Sequence, residues 1–286
     1  MYIKWMKEYP DAPLIRYLTF ANTEVLVCNN LGSHQELLQT KCYSFHKPDR
    51  WLQMVETLIG KGVLSMEGDA HRAARKMLAG PFSMSNIRKL EPVFQAKAND
   101  ISDLFDRAIY VGEDGKTGVI DCTDTFSKAT LDIVGATTLG VDLANVKSTT
   151  FSEQASKDHK SSSEATEYSF HQAYCVTFAQ NQVGKMLLFA SAYVPTRWIP
   201  IQENRDFHFA TNWLTETFGW MIRDRYRQVI EAMSAGKYDY NKSRDLLTFL
   251  VEEGISSGLS EELAEKEFVG QVSLLSLCHD SGAISQ

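Results

Sequence analysis

The stretch GDAHRAARKMLAGPFS, from Gly68 to Ser83, places four basic side chains at the start of a predicted helix: His71, Arg72, Arg75 and Lys76. The N-terminus of a helix is its positive end and attracts anions rather than cations. The helix itself gains nothing from this arrangement, which raises the question of what these four basic side chains contact.

Spacing along the helix divides these residues between two faces. His71, Ala74, Arg75 and Leu78 lie at i, i+3, i+4 and i+7 and therefore share one face. Ala74 and Leu78 predict that this face points inward. A buried arginine requires an anionic partner, and its planar guanidinium is suited to binding a carboxylate through two parallel hydrogen bonds. Asp69 is expected to cap the start of this helix.

Arg72 and Lys76 fall on a different face, which predicts that they are solvated. The spacing leaves a second interpretation open for the whole cluster. All four basic residues could form a solvated surface, or Arg75 could pair with a glutamate nearby in the chain, because charged side chains are mostly exposed.

The N-terminal third of the chain combines one predicted hairpin with helices. Leu14–Phe20 and Glu24–Cys28 are rich in strand formers and are separated by a short turn, which predicts an antiparallel pair. Ser33 is expected to begin a short helix. A later apolar stripe with helical period is interrupted at Pro92, which predicts two helices that meet there.

The second half of the chain is predicted to be helical. Trp213–Met233 has the apolar spacing of a long helix that ends at Gly236, and this stripe is interpreted as core packing. Asp245–Glu253 predicts a short helix. Ser260 is expected to begin the last helix, which becomes apolar on most sides at Val272–Cys278, as in a helix buried inside a large protein.

Composition excludes several classes of function. The 286 residues carry a net charge of −7, which argues against nucleic acid as the main partner. Five cysteines are present without CxxC spacing, so no metal site is predicted. The longest apolar run, Met186–Val194, is far shorter than the roughly 20 residues that span a bilayer, so no transmembrane segment is predicted in this chain.

Several of these segments resemble one family, the haem-thiolate monooxygenases of the cytochrome P-450 type. GDAHRAARKMLAGPFS followed by NIRKLEPVF resembles the family's C-helix segment, which reads Gly-x-x-[Trp or His]-x-x-x-Arg, an apolar pair, and Pro-x-Phe or a close variant. His71 falls on the aromatic position and Arg75 on the arginine. The resemblance implies that these two side chains hold a propionate of haem b (heme b).

Other segments agree with this resemblance in order and spacing. FSKATLDIVGATTLGVD resembles the family's E helix, and DLLTFLVEEG with LAEKEFVGQVSLLSLCHDSGAIS resembles the entry into its long I helix. The implied fold class is mainly α: a partial cytochrome P-450 fold with a small N-terminal β-hairpin, ending within the I helix. Residues 1–286 are expected to form a single partial domain. Met186–Ile201 corresponds to the region between the F and G helices, which lines substrate access or touches membrane, with plain core packing as the alternative.

The I-helix motif of the family, [Ala/Gly]-Gly-x-[Asp/Glu]-Thr, matches Leu277-Cys278-His279-Asp280-Ser281 in part. The resemblance implies that Asp280 is the acid and Ser281 the alcohol of a proton relay. Leu277 and Cys278 are larger than the residues of the pattern. A shifted alignment on SGAIS removes the alcohol, and a frayed helix end is a further interpretation of both residues.

Two motifs of the family are absent from the sequence. None of the five cysteines lies in a Phe-x-x-Gly-x-x-x-Cys-x-Gly loop, which supplies the axial thiolate of the iron, and no arginine completes a Glu-x-x-Arg pair. Both motifs follow the I helix in the family. We therefore expect this chain to be the N-terminal and middle part of a cytochrome P-450 that on its own does not hold haem tightly and shows no turnover.

The resemblance implies a monooxygenase of eukaryotic, fungal type that inserts one atom of O₂ into an apolar small molecule, with electrons from a reductase. It implies a location on the cytoplasmic side of the endoplasmic reticulum membrane if a full-length form carries an upstream anchor. The alternative is a non-enzymatic truncated paralogue or gene fragment that acts at most as a helical binding protein.

Overall fold

Twelve α-helices and two strands are present in the part of the chain that the computed structural model describes, which comprises residues 2–19, 22–112, 115–149, 169–178, 181–193, 196–238 and 245–277. The strands are β1 (Leu14–Leu18) and β2 (Glu24–Cys28), and the helices are α1 (Tyr2–Glu8), α2 (Leu31–Gln35), α3 (Asp49–Ile59), α4 (Gly68–Ala79), α5 (Met84–Lys89), α6 (Glu91–Val111), α7 (Cys122–Val134), α8 (Phe170–Phe178), α9 (Gln182–Ser191), α10 (Gln202–Ser234), α11 (Leu246–Ser256) and α12 (Glu261–Leu277). The chain divides into two compact units, residues 1–48 and residues 49–286.

The first unit is built on the hairpin that the sequence predicts. Strand β1 pairs antiparallel with β2, with Leu14 opposite Cys28 and Leu18 opposite Glu24. Tyr17 of β1 contacts the ring of Trp5 on α1, with 5.3 Å between ring centroids. The predicted hairpin is therefore confirmed, and aromatic contacts rather than a buried core hold α1 against it.

Helix α2 begins two residues earlier than the sequence predicts. The side chain of Asn30 accepts a hydrogen bond from the backbone N–H of Ser33, 2.8 Å away, and the helix starts at Leu31. Ser33 instead donates its hydroxyl to the carbonyl of Pro13. The predicted helix near Ser33 is therefore present, but the prediction that Ser33 caps it was wrong, because Asn30 caps the helix from an earlier position.

The second unit begins with α3 and contains the main core. Helices α5 and α6 meet at Leu90, and Pro92 lies in the first turn of α6, as the sequence predicts. Proline is tolerated there because the first N–H groups of a helix have no partner within the helix.

The core is organised around α10, α11 and α12. Leu214, Phe218, Ile222 and Val229 of α10 are buried and belong to one apolar cluster with residues of α11 and α12. The interpretation of the Trp213–Met233 stripe as core packing is confirmed. The helix ends close to Gly236, which has a φ of +64° and so adopts the left-handed conformation that favours glycine.

The hydrogen bonds of one arginine join α10 both to the start of α11 and to the residues before Gly140. The Arg225 guanidinium donates to the Asp245 carboxylate at 2.5 Å and to the carbonyl of Leu139 at 3.2 Å. Asp245 also caps α11 by accepting from the backbone N–H of Thr248 at 2.8 Å. One arginine therefore fixes the start of α11 and the chain that follows α7.

The region of Met186–Ile201 exposes its large apolar side chains. Met186 is 73% exposed, Phe189 64% and Trp198 78%, so plain core packing does not describe these residues. Among the described helices, none combines the length and the hydropathy needed to cross a bilayer.

Candidate functional site

Helix α4 carries the basic cluster of the opening stretch, and it begins at Gly68 rather than after Asp69. Glu67 occupies the position before the helix and makes no side-chain cap, while Asp69 lies in the first turn. The Asp69 carboxylate pairs with Arg72 at 3.1 Å. The prediction that Asp69 caps α4 was wrong; its charge lies next to the helix N-terminus and a neighbouring cation instead.

The inward face of α4 is narrower than the spacing predicts. Ala74 and Leu78 are both 7% exposed, and Leu78 joins the core cluster around α10 to α12. His71 is half-buried, whereas Arg75 is exposed. The expectation that Arg75 points inward was wrong, because the buried stripe of α4 ends at the small side chain of Ala74 and Arg75 lies beside it at the edge.

The two arginines of α4 differ in their partners. Arg72 is held by Asp69, as expected for a solvated ion pair. Arg75 makes no hydrogen bond or ion pair with any residue that the structure describes. Its guanidinium and the imidazole of His71 lie one helical turn apart, at the edge between the buried and the exposed faces of α4.

The loop between α3 and α4, which comprises residues 60–67 and is called the α4 loop here, packs directly on α12. A Cβ atom at Gly270 would lie 1.7 Å from the carbonyl oxygen of Lys61, and one at Gly62 would lie 2.7 Å from the carbonyl oxygen of Gly270. Neither distance is possible for a real Cβ atom. The two backbones therefore touch at a point where both residues must be glycine.

A buried amide strengthens this contact. Gln271 is fully buried, and its Oε1 accepts the backbone N–H of Val63 at 2.9 Å. Sequence analysis did not single out Gln271. The available signal is a glutamine that immediately precedes the apolar run Val272–Cys278, where water cannot satisfy its amide.

Helix α12 begins after Ser260, as the sequence predicts, with the Ser260 carbonyl accepting the N–H of Ala264. Asp280 and Ser281, the residues assigned to a proton relay, lie outside the described residues.

A buried lysine forms an ion pair in the α6 region. Lys97 is 6% exposed and donates to Asp142 at 2.6 Å. Burial is the largest single influence on the pKa of Lys97 and lowers it, but the hydrogen bond to Asp142 and the negative charges of Asp142, Asp132 and Asp100 together outweigh burial and raise that pKa. The same hydrogen bond lowers the pKa of Asp142. These shifts belong to a contact that ties α6 to the segment after α7. Within the described part of the chain, no three His, Cys, Asp or Glu side chains are grouped to hold a metal ion.

Comparison with solved structures defines the class of protein. The helices align with a crystal structure of a cytochrome P450 at a TM-score of 0.59, covering 96% of this chain and 54% of that chain at 12% sequence identity. The fold is therefore that of a cytochrome P450, mainly helical with a small sheet. Sequence comparison then gives the family: the model of the family described as Cytochrome P450 matches residues 4–276. The chain belongs to the cytochrome P450 family.

The curated relatives are fungal. The chain is 27% identical over 259 residues to a cytochrome P450 monooxygenase of Gibberella moniliformis, covering 88% of this chain and 40% of the relative. It is 25% identical over 248 residues to another of Aspergillus fumigatus, covering 85% of this chain and 41% of the relative. The chain thus spans about two fifths of the length of the curated relatives it matches. These relatives are named as monooxygenases, so they do not favour a non-enzymatic alternative.

Proposed function

We propose that this chain supplies the propionate-binding part of a haem-dependent monooxygenase, with His71 and Arg75 as the propionate ligands. The observation that carries the proposal is the Arg75 guanidinium, which makes no hydrogen bond or ion pair with the described residues and lies one turn from His71. Membership of the cytochrome P450 family supports haem b as the cofactor.

The donor set of α4 fits a carboxylate. A guanidinium presents paired N–H groups in a plane, and each Arg–carboxylate bond of this kind is charge-assisted. His71 adds a ring N–H from the half-buried side of the same helix edge. The two side chains therefore approach one anionic group from adjacent turns, and α4 is held in place by Leu78 in the core.

The bound haem would supply the oxygen chemistry, and the protein would supply orientation and exclusion of water. In this proposal Asp280 and Ser281 hold and pass protons, O₂ and an apolar small molecule are the substrates, and a reductase is the electron donor. We further propose a location on the cytoplasmic side of the endoplasmic reticulum membrane for a form that carries an upstream anchor.

An absorbance titration of the 286-residue chain with haem tests the role of Arg75. We expect Arg75→Gln to weaken haem binding about 10- to 100-fold, the range for loss of a hydrogen bond to a charged group. Arg72→Gln is the matched control, because Arg72 is on the same helix and already pairs with Asp69. It should change the affinity less than twofold.

Haem dimethyl ester, in which both propionates are esterified, shows which atoms Arg75 contacts. Arg75→Gln should leave the affinity for the ester unchanged, because the ester carries no carboxylate. Equal losses for haem and for its ester, equal affinities of the two arginine variants, or no binding of haem by the chain would each contradict the assignment.

A further inference from the structure

The α4 loop connects the end of α3 to Gly68, the first residue of the helix that carries His71 and Arg75. It is short, so any anchor on this loop also restrains the start of α4. The described structure provides such an anchor at α12, which is more than 200 residues away in sequence.

The anchor has two parts. The first is the backbone contact of Gly62 with Gly270, which leaves no space for a Cβ atom on either residue. The second is the Gln271 side chain. Its Oε1 accepts from Val63 N at 2.9 Å, and its Nε2 lies 3.8 Å from the sulfur of Met66, so one amide contacts both ends of a four-residue segment.

The α4 loop is internally rigid between these contacts. The backbone N–H groups of Ser65 and Met66 both donate to the carbonyl of Gly62, at 2.9 and 3.0 Å. The Ser65 hydroxyl lies 3.1 Å from the N–H of Gly62 and accepts from it. A turn closed by three hydrogen bonds transmits a displacement at Val63 to the residues that follow rather than absorbing it.

We propose that Gln271 is a positioning residue for the propionate site: by holding the N–H of Val63, it fixes the start of α4 and with it the placement of His71 and Arg75. This inference rests on the proposed function for its consequence at haem, but the mechanical link from α12 to α4 is independent of it. Helix α12 is thereby coupled to the helix that would hold the edge of the cofactor.

Hydrogen exchange, measured by mass spectrometry on the chain without haem, tests the link. Gln271→Met keeps the approximate length of the side chain and removes the acceptor. We expect exchange about tenfold faster both in the α4 loop and in residues 71–74, which are the first residues of α4 whose N–H groups have acceptors within the helix; tenfold is the factor that corresponds to one lost buried hydrogen bond. Should Gln271→Met fail to fold, Gln271→Asn carries the same test, because its amide is one methylene too short to reach Val63.

Asn204→Leu is the matched control. Asn204 is another buried amide, 3% exposed, at the start of α10. It donates to the carbonyl of Thr196, which precedes that helix. This variant should leave exchange in α4 unchanged. Faster exchange confined to the α4 loop, or equal acceleration of α4 by both variants, would overturn the inference.

The haem titration gives the second readout. If Gln271 acts through His71 and Arg75, Gln271→Met should weaken haem binding less in the Arg75→Gln background than in the unchanged chain, whereas a general loss of stability would weaken it equally in both. Additive losses overturn the positioning role. If Arg75→Gln binds haem with the affinity of the unchanged chain, the proposed function is contradicted instead. The hydrogen-exchange experiment then still decides whether α12 restrains α4.

Discussion

Glu252 is the residue at which burial most clearly disfavours a charge. It is half-buried on α11 and accepts a hydrogen bond from the Tyr238 hydroxyl. Burial raises the pKa of its carboxyl above the ordinary value. A group whose pKa is higher in the folded state stabilises the protein below its unfolded pKa and loses that contribution as the pH rises through the folded pKa.

Glu252→Gln is therefore expected to stabilise the protein at pH 7, because the amide accepts the same hydrogen bond without a charge. The rise in Tm should be less than about 3 °C, since the carboxylate is partly solvated and its charge is screened. The rise should shrink as the pH is lowered toward 4. Circular dichroism melting curves measure it, with the exposed neighbour variant Glu253→Gln as control, and a rise of equal size at every pH would contradict the burial argument.

Sequence reasoning found the residues of α4 but not all of their environments. The inward face was predicted from Ala74 and Leu78, which are buried. The exposure of Arg75 could not be predicted, because helical spacing fixes the direction of a side chain but not how far the neighbouring elements extend. The capping error at Asp69 has a similar cause, since the dihedral angles that start the helix two residues earlier involve Gly68 at a φ of +58°.

At the scale of elements, Gly140 lies where three of them meet: α10, the start of α11 and the chain that follows α7. It has a φ of +68°, and a Cβ atom there would lie 2.6 Å from both Arg225 Nη2 and Asp245 Oδ2. Alanine at this position would be strained in the left-handed conformation and would also displace the ion pair that fixes the start of α11.

We expect Gly140→Ala to lower the free energy of unfolding by about 2–4 kcal/mol, of which about 1–2 kcal/mol comes from the backbone conformation. Gly236→Ala isolates the backbone part, because Gly236 has a φ of +64° and nothing within 4 Å of its Cβ position. Urea denaturation measures both variants. Equal losses in the two would show that the Arg225–Asp245 pair adjusts to the added methyl group without cost.

The elements that sequence predicted best depend on local signals. The hairpin, the break at Pro92 and the end of α10 at Gly236 each follow from residues within a few positions of each other. The contact of Arg225 with Leu139 joins residues 86 positions apart, and no spacing rule indicates it. Gln271 escaped prediction for the same reason, since its partner Val63 is 208 positions away.

At the scale of the whole molecule, the chain matches about two fifths of the length of its curated relatives. No cysteine in its sequence lies in the loop pattern that supplies an axial thiolate. We therefore expect the 286-residue chain, mixed with haem, reduced and treated with carbon monoxide, to lack the red-shifted Soret band of thiolate-ligated iron and to show no turnover.

The spectrum of the reduced, carbon monoxide-treated sample measures this directly. A protein with an established axial thiolate, prepared in parallel, is the positive control. A thiolate-type band from the chain would mean that one of its five cysteines reaches the iron, and single Cys→Ser variants would then identify it.

The bond between Val63 and Gln271 also sets an order of events during synthesis. A ribosome adds about 5–20 residues per second, so the amide of Gln271 appears about 10–40 s after the N–H of Val63 with which it pairs. Helices α10, α11 and α12 are consecutive and can assemble as they emerge, whereas the α4 loop must wait for the last of them. Closure of this loop on α12 therefore follows the synthesis of α12, and the start of α4 acquires its native restraint only after residue 271 has been made.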